Sequence, residues 1–127
     1  ALKASGATIS DIDYICAHAT STPAGDAAEG KNILKIFGDN TPFISSTKSM
    51  TGHELWMSGA SQVVYSVIMA QQGFIAPNIN FEKPDAGLER LNIVRETKDY
   101  APRNILCNSA GFGGTNSCIV IGFDNDL

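Results

Sequence analysis

Short apolar segments alternate along this chain with longer segments of helical periodicity, and this order is what most constrains its fold. The apolar, β-branched segment 12–17 predicts a buried strand, and 42–46 predicts a second one. Helices are predicted between these strands, at 23–37, and after them, at 53–72. Further strands are predicted at 93–94, 104–109 and 115–123. Strand, helix, strand, helix and then strands is the order of an α/β fold, with helices packed on a central sheet.

The two helices carry the clearest local signals. Thr22 is the predicted N-cap of the first helix, Pro23 occupies its first position, and Gly38 ends it. In the second helix, a packed face is predicted from residues that recur at three-and-four spacing: Trp56, Gly59, Ala60, Val63, Val64, Val67, Ile68 and Gln71. Gly73 closes this helix, and the small residues at 58–61 predict close packing against another element.

The segments between these elements are predicted to be irregular. Residues 1–6 are typical of the end of a helix that stops at a glycine. Residues 47–52 predict a polar loop, and 77–91 predict a long connection with two prolines. Residues 111–114, with the sequence GFGG, predict a tight turn between the last two strands.

Composition restricts the class of protein. With 127 residues, of which 43% are apolar, the chain is predicted to form one domain over 1–127. Its net charge of −4 argues against nucleic acid or an anionic membrane as the partner. The longest mostly apolar stretch, 63–70, is too short to cross a bilayer. The chain has neither an initiator methionine nor a secretory leader, which favours a piece of a larger chain.

The cysteines predict no covalent or metal framework. Cys16, Cys107 and Cys118 are odd in number and form no CxxC pair, which argues against disulfides and against a zinc site. A reduced, cytoplasmic setting fits this usage. Each of the three is expected to be a small buried apolar residue.

Both histidines of the chain follow a predicted strand at a turn. His18 closes the first strand, and His53 ends the loop after the second. Loops at strand ends line the ligand crevice of open α/β sheets, so Lys48 and the turn 111–114 are expected near both imidazoles. For each residue alone, a structural or solvated role is the simpler interpretation. The pattern indicates a candidate two-histidine site and leaves its chemistry open.

Two common kinds of site do not fit the spacing. The histidines are not four residues apart on a helix, and nothing singles out further ligands, so no metal is predicted. The GFGG turn lacks the spacing and the strand-to-helix context of a dinucleotide loop, so no nicotinamide or other cofactor is predicted.

Three segments, in order along the chain, resemble motifs of the β-ketoacyl-acyl-carrier-protein synthases. Residues 18–26 (HATSTPAGD) resemble the histidine motif of that family, and 46–53 (STKSMTGH) resemble its lysine and second-histidine motif. Residues 108–116 (NSAGFGGTN) resemble its glycine-rich C-terminal motif. The segment 73–80 (GFIAPNIN) is similar to the elongating, fatty-acid type of these synthases.

The resemblance implies a thiolase-like fold in which two similar α/β halves pack together, with this chain as the C-terminal half. The active site then lies between the halves, and its nucleophilic cysteine comes from the first half. None of the three cysteines present here has the context of that nucleophile, so the chain alone is expected to be inactive and to expose a large apolar face. The implied partners are the missing half, a second copy in a homodimer, and acyl-carrier protein with phosphopantetheine-linked acyl and malonyl groups.

The implied reaction is a decarboxylative Claisen condensation that forms 3-oxoacyl-carrier protein. The resemblance makes His18 and His53 the donors to the enolate oxygen, and gives Lys48 an electrostatic role in a pair with Glu29. Phe112 corresponds to a gating residue whose N–H, freed by the flanking Gly111 and Gly113, helps to form an oxyanion hole. Three further residues are given supporting or structural roles: Thr20, Asp26 and Asn116.

The sequence departs from the family pattern at three places. Ala19 stands where a glycine is usual, with a slight expected effect, and Ala110 replaces a frequent phenylalanine. Residues 54–57 (ELWM) replace a small-residue segment, and the bulky Trp56 is expected to reshape a pocket. These departures leave the acyl length open. Two other classes also stay open: a non-catalytic partner subunit like a chain-length factor, and an unrelated carrier-protein-binding module.

Overall fold

The computed structural model describes residues 1–123, which form four helices and six strands. The helices are α1 (Leu2–Ser5), α2 (Pro23–Phe37), α3 (Lys48–Thr51) and α4 (Ser58–Gln72). The strands are β1 (Tyr14–Cys16), β2 (Phe43–Ser45), β3 (Phe74–Ile75), β4 (Lys98–Asp99), β5 (Asn104–Ala110) and β6 (Asn116–Gly122). Single 3-10 turns are found at Ile9–Asp11, Leu55–Met57 and Phe112–Gly114. The last part of the predicted domain, 124–127, lies outside the described residues.

The main sheet has the strand order β2-β1-β5-β6. β1 runs parallel to both β2 and β5, whereas β5 and β6 are antiparallel, so the sheet is mixed. In the parallel pairs, Tyr14 lies opposite Phe43, and Cys16 lies opposite Cys107. β3 and β4 form a separate antiparallel pair. The predicted α/β fold with helices against a mixed sheet is confirmed.

Helices cover both faces of this sheet because successive side chains of a strand point to opposite sides. On one face, Tyr14 and Cys16 pack in a cluster with Met69 of α4. On the other face, Ile15 packs in a second cluster with Ile33 and Phe37 of α2. All of β1 is buried between these two clusters.

Three predicted elements differ in the structure. The segment 93–94 forms one isolated parallel bridge, from Ile93 to Ile44, because so short a segment between irregular connections supplies a single pair. The predicted loop 47–52 contains the short helix α3. The helix predicted from His53 begins at Ser58, because Leu55 has a φ of 54°, a left-handed conformation that a right-handed helix cannot contain.

α4 packs on the sheet with a different face from the predicted one. Four of its six buried residues are polar, namely Ser58, Ser61, Gln62 and Ser66, and the other two are Met69 and Ala70. Val64 and Ile68 belong to the predicted face, yet they are 53% and 46% exposed. The polar side tolerates burial because its groups are hydrogen-bonded, for example Gln62 to the Ala17 carbonyl oxygen. The periodicity therefore predicted the helix but not the face that contacts the sheet.

Candidate active site

His18 stands directly beyond the buried end of β1. The chain turns sharply there, with positive φ angles of 21° at Ala19 and 61° at Ser21. Glu29, on α2, holds this turn: its Oε1 accepts the N–H of His18 at 2.9 Å, and its Oε2 accepts the N–H of Ala19 at 2.9 Å. A positive φ favours glycine, so the alanine at position 19 carries backbone strain in addition to its extra methyl group.

His53 lies between α3 and α4 in one defined orientation. Its Nδ1 accepts the N–H of Leu55 at 2.9 Å and lies 3.2 Å from the hydroxyl oxygen of Ser58. A backbone N–H can only donate, so Nδ1 of the neutral ring carries no hydrogen and Nε2 does. The left-handed conformation of Leu55 belongs to the turn that brings this N–H to the ring. His53 is therefore a donor through Nε2.

The two imidazole rings lie together although 34 positions separate them along the chain (53 − 18). Their centroids are 5.9 Å apart, in an edge-to-face arrangement with an interplanar angle of 84°. Desolvation, and then the nearby charge of Lys48, lower the pKa of His18. His18 thus stays neutral to lower pH than a free imidazole, and its buried Nδ1 has no hydrogen-bond partner among residues 1–123.

Lys48 is the first residue of α3, and its ammonium group is buried. Its Nζ has no hydrogen-bond partner within the described part of the chain. Desolvation lowers the pKa of Lys48, while the charges of Glu29 and Glu54 oppose that effect. Glu29 makes no hydrogen bond to Lys48, since its carboxylate binds the His18 and Ala19 N–H groups and Nδ2 of Asn108, so the pair expected between them acts through charge alone.

Asp26 lies on the first turn of α2 and lines a cavity together with the loop after His18. Its Oδ1 is buried and has no hydrogen-bond partner among residues 1–123, and the structural role expected of Asp26 stays a prediction. Burial, and then the charge of Glu29, raise the pKa of Asp26. In the same loop, the hydroxyl oxygens of Thr20 and Thr22 are 3.2 Å apart.

The glycine-rich turn connects β5 to β6 as predicted. The N–H of Gly111 donates to the Thr115 carbonyl oxygen at 2.7 Å, and Ala110 pairs with Asn116 across the strands. Gly113 has a φ of 82°, which only glycine adopts at little cost. The ring of Phe112 at the tip is 108% exposed, so no described residue covers it.

Two adjoining cavities lie at this end of the sheet. The first, of about 550 Å³, is lined by His53, Lys48 and Thr20. The second, of about 690 Å³, is lined by His18, Asn108 and Asn116. They share wall residues: Ala19, Asp26, Glu29 and Ile33. His18 and His53 thus line different cavities, although their ring centroids are only 5.9 Å apart.

The one exposed thiol among residues 1–123, that of Cys118, lines the same cavity as His18. Cys16 and Cys107 are buried, as predicted, whereas Cys118 is exposed on β6 and that expectation is wrong. A hydrogen bond with Cys16, together with burial, raises the pKa of the Cys107 thiol and keeps it protonated. Among residues 1–123, no group of three His, Cys, Asp or Glu side chains could hold a metal ion.

Sequence analysis assigned no role to two polar residues beside the site, Gln62 and Asn108. Gln62 bonds to the carbonyl oxygen of Ala17 and to the hydroxyl of Ser109, and Asn108 bonds to Glu29. One available signal was the run of polar residues at 58, 62 and 66, which are four apart and share one face of an otherwise apolar helix.

The family model described as "Beta-ketoacyl synthase, C-terminal domain" matches residues 1–82. The 3-oxoacyl-[acyl-carrier-protein] synthase 1 of Escherichia coli K12 is 49% identical over 110 residues, which cover 87% of this chain and 27% of that protein. The synthase 1 of Haemophilus influenzae is 49% identical over 121 residues, 94% of this chain and 30% of that protein. The chain therefore spans less than a third of the length of these relatives.

Solved structures of ketosynthases also superpose on this chain. The ishigamide ketosynthase/chain length factor superposes with a TM-score of 0.93 at 31% identity, over 98% of this chain and 31% of that one. A type II polyketide ketosynthase in complex with its acyl-carrier protein and bound to the hexaketide superposes with a TM-score of 0.89 at 32% identity, over the same shares of the two chains.

No helix within residues 1–123 is long and apolar enough to cross a membrane.

Proposed function

The chain belongs to the β-ketoacyl synthases, as their C-terminal domain, and on this premise we propose that the complete protein condenses an acyl thioester with malonyl-acyl-carrier protein in fatty acid biosynthesis. Similarity to 3-oxoacyl-acyl-carrier-protein synthases at 49% identity supports this reaction. The whole domain 1–127 then acts as one part of an enzyme whose cysteine nucleophile belongs to the rest of the protein.

The proposed reaction places negative charge on one oxygen atom. Loss of carbon dioxide from the malonyl thioester leaves its electron pair as an enolate, with the charge on the thioester oxygen. The enolate carbon attacks the acyl thioester on the cysteine, and the cysteine thiolate leaves as the new carbon–carbon bond forms. Donors aimed at the enolate oxygen in a site shielded from water lower the barrier to the first step.

The observation that carries the proposal is the meeting of the two imidazoles, with centroids 5.9 Å apart. Nδ1 of His53 is occupied by the Leu55 N–H, so its Nε2–H is the donor that faces substrate. Desolvation first, and then Lys48, lower the pKa of His18, so this ring also serves as a neutral donor. Two N–H donors suit an enolate oxygen, because each stabilises the negative charge that develops there.

Lys48 and the glycine-rich turn complete the proposed machinery. The buried ammonium group of Lys48 acts through its charge, which favours the developing enolate and keeps His18 neutral. The N–H of Phe112, in the turn that Gly113 shapes, contributes to an oxyanion hole for the acyl thioester. The exposed ring of Phe112 gates access to the cysteine.

The test replaces each histidine in the full-length protein. We expect His18→Ala and His53→Ala each to slow decarboxylation of malonyl-acyl-carrier protein by about 100- to 1000-fold, because each variant removes one donor to the enolate oxygen. Released carbon dioxide is measured with the carrier-protein substrate in excess.

Transfer of an acyl group onto the cysteine serves as the internal control, because this step forms no enolate. We expect both variants to retain far more of that transfer activity than of decarboxylation. Decarboxylation at the wild-type rate in both variants contradicts the proposed mechanism.

The proposal includes partners and a setting. Similarity to a ketosynthase solved with its acyl-carrier protein supports such a carrier as the substrate-bearing partner. A homodimer and a reduced, cytoplasmic setting complete the proposal, and the free thiols of Cys16 and Cys107 are consistent with that setting.

A non-catalytic partner subunit is the second candidate, because the chain also superposes on a ketosynthase/chain length factor with a TM-score of 0.93. A full-length protein that forms a stable heterodimer with an active synthase, and that alone neither accepts an acyl group nor decarboxylates malonyl-carrier protein, identifies this candidate. Binding of carrier protein without turnover, by a protein that has no such partner, identifies a carrier-binding module.

A further inference from the structure

Gln62 is a buried amide on α4, only 1% exposed, and both ends of the amide are hydrogen-bonded. Its Nε2 donates to the carbonyl oxygen of Ala17 at 2.8 Å, and its Oε1 accepts the hydroxyl of Ser109 at 3.1 Å. Longer contacts of 3.5 Å join Nε2 to the carbonyl oxygen and to Sγ of Cys16. A desolvated amide must be satisfied at both ends to offset the cost of its burial. Gln62 therefore ties α4 to the ends of two different strands.

These contacts lie where β1 and β5 separate. The last β1–β5 pair joins Cys16 to Cys107. Beyond it, the segment that follows β1 turns to His18, while β5 continues beside β6 as far as Ala110. Strands that part leave backbone groups without ladder partners, and buried backbone groups are almost always satisfied. The carbonyl of Ala17 is such a group, and Gln62 supplies its donor.

Glu29 holds the same place from the other face of the sheet. Its carboxylate accepts the N–H groups of His18 and Ala19, and Nδ2 of Asn108 at 3.2 Å. Glu29 belongs to α2 and Gln62 to α4, which pack on opposite faces of β1. The segments 17–19 and 108–109 are therefore held from both sides by one pair of side chains.

Gly59, one turn before Gln62, permits this contact. A Cβ atom at Gly59 would lie 3.0 Å from Oγ of Ser109, so a larger residue there would require the hydroxyl that Gln62 binds to shift. The absence of a side chain lets α4 approach the end of β5. At that distance the Gln62 amide spans from Ser109 to Ala17.

We propose that Gln62 is a positioning residue which, together with Glu29, clamps the end of β1 and so sets where the His18 ring stands relative to the Phe112 turn. This inference rests on the proposed condensing function and deepens it with a residue that touches no reacting atom. A catalytic group displaced by about 1 Å can cost roughly 100-fold in rate. A clamp on the backbone beside His18 therefore affects the chemical step more than it affects substrate binding.

The test is Gln62→Met in the full-length protein, which keeps the length of the side chain and removes both hydrogen bonds. We expect kcat for decarboxylation of malonyl-acyl-carrier protein to fall by about 10- to 100-fold, with KM changed by no more than about twofold. Backbone amides of residues 17–20 are expected to exchange with deuterium faster than in the wild type, because the turn has lost one of its anchors.

Ser66→Ala is the matched control. Ser66 lies on the same helix and face, is 0% exposed, and contacts Sγ of Cys107 rather than the Ala17 carbonyl oxygen or the Ser109 hydroxyl. We expect this variant to keep the wild-type kcat and the wild-type exchange of residues 17–20. An equal loss of kcat in Ser66→Ala overturns the proposal, because the effect then comes from general packing of α4.

Ser109→Ala is a second test of the clamp, for use if Gln62→Met does not fold. It removes one bond of the Gln62 amide at a half-buried position, and we expect a several-fold lower kcat and a smaller loss of Tm than in Gln62→Met. The double variant is expected to be no slower than Gln62→Met alone, because both changes break one network. Wild-type kcat and exchange in Gln62→Met, or a wild-type kcat in Ser109→Ala, overturns the clamp.

The proposed function fails separately, if the wild-type protein does not decarboxylate its substrate. The exchange measurement still tests the clamp in that case, since it needs no turnover.

Discussion

At the residue scale, unusual backbone conformations stand next to both histidines. Leu55, whose N–H reaches His53, has a φ of 54°, and Ala19, directly after His18, has a φ of 21°. Non-glycine residues in this region cost about 1–3 kcal/mol each and persist only where other contacts hold them. Glu29 provides such contacts at Ala19, so the orientation of the candidate site depends on a few buried hydrogen bonds.

Lys48→Met tests whether Lys48 controls the charge of His18. Desolvation first, and then Lys48 and His53, lower the pKa of His18, whereas Glu29 and Asp26 raise it. A neutral donor is lost as the pH falls through its pKa. Removal of the Lys48 charge raises that pKa, so the acid limb of kcat/KM for decarboxylation is expected to move to higher pH. The measurement is a pH–rate profile of the full-length protein.

Lys31→Met is the control for this profile, because Lys31 is an exposed lysine on α2. Its acid limb is expected to coincide with that of the wild type. An acid limb in Lys48→Met that stays in place, or moves to lower pH, contradicts the electrostatic role of Lys48.

At the scale of elements, α4 has two usable faces. Its serine and glutamine side is buried against the sheet, where every bond of Gln62 is to a strand end. Its valine and isoleucine side points away, with Val64 53% exposed. The polar side of α4 is already packed on the sheet, and its apolar side is unfavourable in solvent. α4 is therefore positioned to be covered on both sides.

Ile15→Ala tests the role of β1 as the centre of the core. Ile15 is fully buried in the cluster formed with α2, so its truncation leaves a cavity and is expected to lower the free energy of unfolding by about 2–5 kcal/mol. Ile36→Ala is the matched control, because Ile36 lies on α2 and is 51% exposed. Its truncation is expected to lower the free energy of unfolding by less than about 1 kcal/mol. Denaturant unfolding of the full-length protein measures both, and equal losses contradict the assignment.

At the scale of the whole molecule, the chain covers 27% and 30% of its two bacterial relatives and leaves large apolar side chains uncovered. Trp56 and Phe112 are 103% and 108% exposed, and Leu55 and Met57 beside Trp56 are 73% and 62% exposed. Apolar surface of this kind marks an interaction site. It surrounds the histidines, which agrees with the expectation that further protein packs there.

The isolated chain 1–127 is therefore expected to bind an apolar fluorescent dye more strongly than the full-length protein and to form no 3-oxoacyl product. Burial of this surface in the full-length protein is the physical reason for the first effect. The second follows because the proposed function assigns the cysteine nucleophile to the rest of the protein. Dye fluorescence and product formation are measured at equal molar concentrations.

Trp56→Ser combined with Ile68→Ser in the isolated chain is the control, since both side chains are exposed in the structure. This variant is expected to bind less dye at an unchanged helix content. Equal dye binding by the isolated chain and the full-length protein contradicts the covered face.

The sequence by itself determined the order of the four main-sheet strands and of α2 and α4, the bounds of α2 between its proline and its glycine, and the residue types of the site. These features are local, because caps, turns and periodicity depend on neighbours in the chain. Tertiary structure alone decided which face of α4 meets the sheet, that Glu29 binds backbone N–H groups and not Lys48, and that Gln62 joins two strand ends. Those outcomes depend on which buried polar groups lack a ladder partner once β1 and β5 separate, and only the packed fold defines that set.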